Sequence, residues 1–239
     1  MTPLHAKSTI EEIRTRFDGE VERFSDLNTG QEAAMDSVAV LDVIARAAAA
    51  RLAPGARVLD LGCGAGNYTL RILRELGSID PILVDLSRPM LDRARARLAE
   101  AGVPRVTTIQ ADLRELAMEQ GSLDAIVSGA VLHHLREDAD WEHVFSRLHL
   151  WLRPGGLLLV ADLVVCDDPA LNRVMWDRYG EYLVRRGGEA YRDAVFGYID
   201  HEDTPRSFPY QLDLLKRVGF RFCDVLHRNS LFGCYAAIK

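Results

Sequence analysis

Short, unbroken apolar runs alternate with helically patterned stretches through the middle of this chain. Residues 57–61, 81–85, 106–109, 123–128 and 157–163 read as strands. Between them, residues 67–76, 88–101 and 139–152 carry apolar side chains at helical spacing. In the last, Trp141, Val144, Phe145, Leu148 and Leu152 form one face. Strands that are apolar throughout, rather than at every second position, predict a parallel sheet covered on both faces by helices. Before the first strand, residues 8–27 and 31–52 read as helices, the second alanine-rich and stopped at Pro54-Gly55. Residues 167–206 lose the rhythm and predict several short helices. Residues 207–218 read as a helix capped by Ser207 with Pro209 in its first turn. Residues 219–227 and 231–238 predict two final antiparallel strands joined at Asn229-Ser230. The expected organisation is an N-terminal helical lid over 1–53, a sheet domain from 54–166 and 207–239, and a helical cap over 167–206.

The first strand runs into V-L-D-L-G-C-G-A-G, with Asp60 at its end and glycines at 62, 64 and 66 before the next helix. A strand, a tight glycine turn and a helix start let a nucleotide-like ligand lie against backbone. Two ligand classes suit such a turn. A dinucleotide brings a doubly anionic pyrophosphate to the helix start, and Asp60 would set an anion beside it. S-adenosylmethionine has no phosphate and carries an ammonium and a sulfonium, which an acid complements. Asp85 and Asp112 also follow strand ends, where open α/β sheets bind ligands. Asp85 suits an acceptor for ribose hydroxyls, and Asp112 an acceptor for an adenine amino group. The absence of a Y-x-x-x-K pair further disfavours a nicotinamide-dependent reductase.

Composition narrows the partners. A net charge of −6 disfavours nucleic acid, and no apolar run is long enough to span a bilayer. The start of the chain lacks a signal-peptide apolar core, so the expectation is a cytoplasmic protein with a small-molecule substrate. The four cysteines form no C-x-x-C pair, and no metal site or disulfide framework is expected.

At this point the chain resembles the class I S-adenosylmethionine-dependent methyltransferases over roughly residues 55–165 and the final helix and strand pair. The similarity rests on V-L-D-L-G-C-G-A-G, L-V-D-L-S, Q-A-D, L-D-A-I-V-S-G-A-V-L-H-H-L and L-R-P-G-G-L-L-L-V. It implies a doubly wound, mostly parallel, seven-stranded Rossmann-like α/β sheet with one antiparallel strand near the edge. By position it implies cofactor contacts from Asp60, Gly62, Gly64, Gly66, Asp85, Leu86, Asp112, Leu113 and Ser128, with S-adenosylhomocysteine as product. The F-D-x-x-V-E-R-F-S segment and the insert after A-D-L are similar to a narrower group, the carboxy-S-adenosylmethionine synthases linked to tRNA wobble-uridine modification. Arg185-Arg186-Gly187-Gly188 and the pair His133-His134 depart from that group's pattern. That departure favours ordinary methyl transfer to an oxygen or nitrogen of an aromatic or carboxylated small molecule. A carboxylating enzyme and a non-catalytic S-adenosylmethionine-binding module remain the alternatives.

His133 and His134 follow the fourth strand at the expected substrate end and are the candidate catalytic groups, since imidazole titrates near neutral pH. Twelve of the 18 aromatic residues lie from position 167 onward. An insert beyond a strand's carboxyl end is placed to cover a ligand. Tyr179, Tyr182, Arg185, Arg186 and Tyr191 are its candidate substrate contacts, the arginines suggesting an anionic group. Phe24 is a candidate lid residue, and a homodimer through the insert is open.

Overall fold

The computed structural model describes residues 2–26 and 32–239. Leu27, the expected end of the first helix, and Gln31, the expected start of the second, lie outside the described residues. Seven strands form one sheet in the order β3-β2-β1-β4-β5-β7-β6. They are β1 (Ala56–Leu61), β2 (Ile79–Asp85), β3 (Thr107–Gln110), β4 (Leu123–Gly129), β5 (Leu152–Leu163), β6 (Phe222–Asn229) and β7 (Phe232–Ile238). Strands β1 to β5 pair in parallel, and β7 runs antiparallel to both β5 and β6. The strand order reverses at β1, which lies between β2 and β4. That reversal opens a crevice beyond their carboxyl ends.

The helices are α1 (Ile10–Asp18), α2 (Val21–Ser25), α3 (Ser37–Arg51), α4 (Asn67–Leu76), α5 (Arg88–Glu100), α6 (Asp138–Trp151), α7 (Pro169–Glu202) and α8 (Phe208–Val218). The twofold strand period divides the core between two faces. Val58, Ala125, Val127 and Leu159 pack with Ile44, Ala45 and Ala48 of α3 and Ile72 of α4. Leu59, Leu61, Ile126 and Leu158 pack with Trp141, Phe145 and Leu148 of α6 and Leu214 of α8. Burying a side chain of this size contributes about 1.5–3 kcal/mol, so both faces must be covered, as the unbroken apolar strands require. Helix α3 therefore belongs to the covering layer of the sheet. Of the first 53 residues, the segment up to Phe24, residues 33–35 and the start of α3 at Ser37 and Val40 reach the crevice.

The 167–206 region is one long helical element rather than several short ones. It is broken at Gly188, whose φ of 81° and ψ of −178° leave helical space. Asp168 caps its start by accepting from the Ala170 and Leu171 amides, at 3.0 and 2.9 Å. No helix among the described residues is long and apolar enough to cross a membrane.

Candidate active site

The turn after β1 is built by backbone bonds to the end of β2. The Gly62 and Cys63 amides both donate to the Val84 carbonyl at the end of β2, at 2.8 and 2.9 Å. Gly62 has φ +70°, and a Cβ there would overlap the Val131 side chain from the β4 loop. Gly64 has φ +49° with open space beside it, so glycine answers the conformation and leaves backbone bare on the crevice wall. Its amide donates to Asp85 Oδ2 at 2.8 Å, while Asp85 Oδ1 accepts from the Ser87 amide at 2.9 Å. Asp85 thus fixes the turn, and with the Leu86 amide also bonding it, the carboxylate still has acceptor capacity left for a ligand. Burial pushes its carboxyl up to about 6, against the pull of these amide bonds.

A cavity of about 590 Å³ extends from this turn along the strand ends. Gly62, Gly64, Asp85, Leu86, Asp112 and Leu113 line one end, and His133 and His134 line the other. Asp112 is clamped by Arg114, whose Nε and Nη2 donate to its two oxygens at 2.9 and 2.6 Å. Burial alone would raise this carboxyl; Arg114 outweighs it and holds the group below its ordinary value.

Three expected cofactor contacts stand off the wall. Asp60 is buried behind it, with Oδ2 accepting from the Thr69 hydroxyl at 2.5 Å and the Thr69 amide at 3.3 Å. Burial pushes its carboxyl up to about 7, and its Oδ1 has no partner. Leu61, the next residue, is the one that faces the cavity. Gly66 packs its backbone against Ala94 of α5, 3.2 Å from where its Cβ would sit. Ser128 is buried within β4.

The far end is assembled from three separate elements. After β4, the chain turns at Ala130, with φ +57°, into a single 3-10 turn at Leu132–His134. This presents two adjacent imidazoles. Asp162, near the end of β5, accepts from the His133 amide at 3.2 Å and the Leu163 amide at 2.8 Å, and bonds Nδ1 of the His133 ring. Asp203, just past α7, places Oδ1 at 3.6 Å from His133 Nε2 and 3.3 Å from His134 Nδ1. Burial opposes charge on His133, but Asp203 and Asp162 overcome it and lift the ring to about 9. Burial and the charge of His133 drive His134 well below its ordinary value.

Only one of the five insert residues expected at the substrate reaches the cavity. Tyr179 lines it and donates its hydroxyl to the Ala33 carbonyl at 2.9 Å. Tyr182 turns outward to the Glu32 carbonyl at 2.9 Å. Arg186 lies over the Tyr182 ring and faces Glu32, and Arg185 faces Glu181 at the surface. Tyr191 packs beside the small cluster of Tyr179, Leu183 and Ile199. Helical period explains this, since one helix points only a stripe of side chains inward. Beyond the break at Gly188, Val195, Tyr198 and Ile199 of the following helix also line the cavity.

Asp162, Asp203 and Arg136 are cavity residues that pattern reading missed. Asp162 carried a signal, being an acid near the end of an apolar strand like Asp60 and Asp85. Asp203 carried none, because its burial comes from the N-terminal segment. Lys7 Nζ donates to the Asp200 and Asp203 carbonyls at 2.8 and 2.6 Å, and Ser8 Oγ donates to Glu202 at 2.6 Å. Arg136 reaches the Ser8 carbonyl at 3.0 Å. Ile13, Phe17 and Phe24 of this segment roof the cavity, and Asn67 donates to the Phe24 carbonyl at 3.0 Å.

A methyltransferase-domain family model matches residues 58–156. A carboxy-S-adenosyl-L-methionine synthase of Wolinella succinogenes is 30% identical over 196 residues, covering 77% of each chain. One of Aeromonas hydrophila is 29% identical, covering 84% of this chain and 81% of its own. Among solved structures, 1,6-didemethyltoxoflavin-N1-methyltransferase of Burkholderia thailandensis, with bound S-adenosylhomocysteine, aligns with a TM-score of 0.65 at 20% identity. It covers all of this chain and 92% of its own. The phosphoethanolamine N-methyltransferase 2 of Haemonchus contortus aligns with a TM-score of 0.67 at 18% identity, covering 97% of this chain and 61% of its own.

Proposed function

The chain belongs to the class I S-adenosylmethionine-dependent methyltransferase family, and from that premise we propose that it methylates an oxygen or nitrogen of a small molecule. One observation carries the reading. A single cavity joins a bare-backbone turn and a buried ribose-type acid to a polar cluster at its other end. The turn suits the methionine part of S-adenosylmethionine, because Gly64 leaves space where a Cβ would intrude. Asp85 keeps acceptor capacity for ribose hydroxyls, and Leu86, Asp112 and Leu113 flank the place for an adenine. Asp60 acts from behind, through the Thr69 bonds that hold the start of α4.

When bound, the cofactor supplies a methyl group already activated on a sulfonium. The chain's own task is then placement, and alignment of reacting groups is worth up to about 7–11 kcal/mol of barrier. His133, His134 and Tyr179 hold the acceptor at the far end. Ile13, Phe17 and Phe24 exclude water from above. A cytoplasmic metabolite fits this mostly apolar cavity better than a nucleic acid, given the chain's net charge of −6.

A second reading, formation of a carboxylated cofactor, is favoured by the names of the sequence relatives. Arg136, which lines the cavity with one guanidinium nitrogen unpartnered, is the residue to receive such a carboxylate. Mass spectrometry of the ligand carried by purified protein, with methyl-labelled S-adenosylmethionine offered against an acceptor panel, separates the readings. Label transfer supports methylation. A carboxylated cofactor replaces it with the second reading, and tight binding without any turnover replaces it with a binding module.

A further inference from the structure

Two buried polar atoms at the acceptor end make no hydrogen bond, although they lie near one another. Asp203 Oδ1 belongs to a side chain only 3% exposed, and His134 Nδ1 stands 3.3 Å from it. Neither has a hydrogen-bond partner. Leaving such groups unpaired costs about 1–3 kcal/mol each, more when charged. His133 Nε2 is 3.6 Å from the same Oδ1, and the three atoms lie within 4.8 Å of one another.

These spacings suit a metal better than a hydrogen bond. Two ligands at about 2.1 Å from a tetrahedral ion stand about 3.4 Å apart. Two imidazole nitrogens and one carboxylate oxygen suit a borderline transition metal, and disfavour magnesium or calcium, which prefer oxygen. The surroundings also match. A metal-bound histidine usually bonds a carboxylate through its other nitrogen, and Asp162 holds Nδ1 of His133 in this way. Asp162 is itself fixed by two backbone amides. Two carboxylates, Asp162 and Asp203, then face one divalent charge. C-x-x-C spacing gave no hint of this, because the ligands come from a 3-10 turn and the far end of α7.

We propose that His133 Nε2, His134 Nδ1 and Asp203 Oδ1 bind one divalent transition-metal ion of the zinc type, which holds the acceptor's nucleophile at its open position. All three residues line the cavity, so the remaining coordination position faces the acceptor. A hydroxyl bound there ionises more readily, its proton passing to water. This use of the ion rests on the methyl-transfer reading, whereas the site itself rests on the three ligands.

The test is titration of the chelator-treated full chain with Co²⁺ and Zn²⁺. One equivalent of Co²⁺ should bind at micromolar concentration or tighter, with the intense visible absorption of a low-symmetry site, and zinc should displace it. Asp203→Asn and His134→Gln should each abolish that spectrum. Asp162→Asn, which alters the partner of the His133 ring and no ligand of the ion, should weaken binding about 10- to 100-fold. Calorimetry of S-adenosylmethionine with the metal-free variants checks that they remain folded, and if one does not, the wild-type stoichiometry and spectrum still decide. Absence of saturable binding to wild type, or binding that survives both ligand substitutions, overturns the site. If metal fails while S-adenosylmethionine binds, the metal inference alone is lost. If S-adenosylmethionine fails to bind, the proposed function is lost and the metal result stands by itself.

Discussion

Asp85→Asn removes one charge at the centre of the cofactor half while keeping the side chain's shape. In the wild type, Oδ2 accepts from Gly64 and Oδ1 from Ser87, at 2.8 and 2.9 Å. With the Leu86 amide as a third donor, the carboxylate's roughly four acceptor sites still leave capacity for a ribose hydroxyl. A hydrogen bond to a charged group contributes about 1.5–3 kcal/mol. Loss of the charge should therefore weaken S-adenosylmethionine binding by roughly 10- to 100-fold, measured by calorimetry at pH 7.5. The same carboxyl gives a second readout. Its value of about 6 in the free protein reflects burial, which the amide bonds only partly offset. Ribose hydroxyls bond the ionised form, so affinity should rise with pH through about 6 and level off above. One unit below that value the ionised fraction is about a tenth, a loss of about 1.4 kcal/mol. The Asp85→Asn variant should lack this slope between pH 5 and 7. Equal affinity of variant and wild type, or a wild-type profile flat through that window, would refute the ribose role.

Three further outcomes follow from the same geometry. Gly62→Ala adds a Cβ that overlaps Val131 at a residue with φ +70°. The backbone strain alone costs about 1–2 kcal/mol, lowering the melting temperature by roughly 2–8 °C in a domain of this size. Pairing it with Val131→Ala should recover part of the loss, and a melt unchanged by Gly62→Ala would contradict the packing. Asp60, lifted to about 7 in the folded chain from about 4 unfolded, binds its proton more tightly when folded. Stability of the ligand-free protein should thus fall as pH rises from about 4 to 7, by at most roughly 4 kcal/mol, and hold steady above. Chemical denaturation across that range checks the sign, and Asp60→Asn should flatten the curve. Arg185→Ala and Arg186→Ala, both on the outer side of α7, should each change stability by less than about 0.5 kcal/mol and leave cofactor affinity and turnover as they were. A large loss of turnover in either variant would return the insert arginines to the acceptor.

The sheet was legible because each strand's composition reports its burial on both faces, and β1, β2 and β4 fall close to their expected bounds. The glycine turn was legible for a related reason. A glycine turn and an acid at a strand end are local features, so Gly62, Gly64 and Asp85 are found where their neighbours in sequence put them. Asp60 shows where that reasoning stops. One residue decides whether a strand-end acid faces the crevice or the core, and Leu61 takes the outward place. The insert was misjudged for lack of phase. Tyr179 and Tyr182 are equally aromatic, yet only the orientation of α7, set by packing from Leu163 and Leu231, separates them. In the far cluster His133 was legible and Asp162 carried a signal, but their meeting with Asp203 was not, because it follows only once three elements have folded.

The roof over the cavity is fastened next to the acceptor cluster. Lys7 and Ser8 hold the end of α7 at Asp200, Glu202 and Asp203, and Arg16 pairs with Glu202 at 2.6 Å. Any movement that lets reactants in or products out by lifting this segment must strip the cover from Asp203 at the same moment. The roof of the cavity and the cover of Asp203 are therefore held by one set of contacts. Viscosity or a tethering crosslink between Ser8 and Glu202 would act on turnover without touching a single reacting atom.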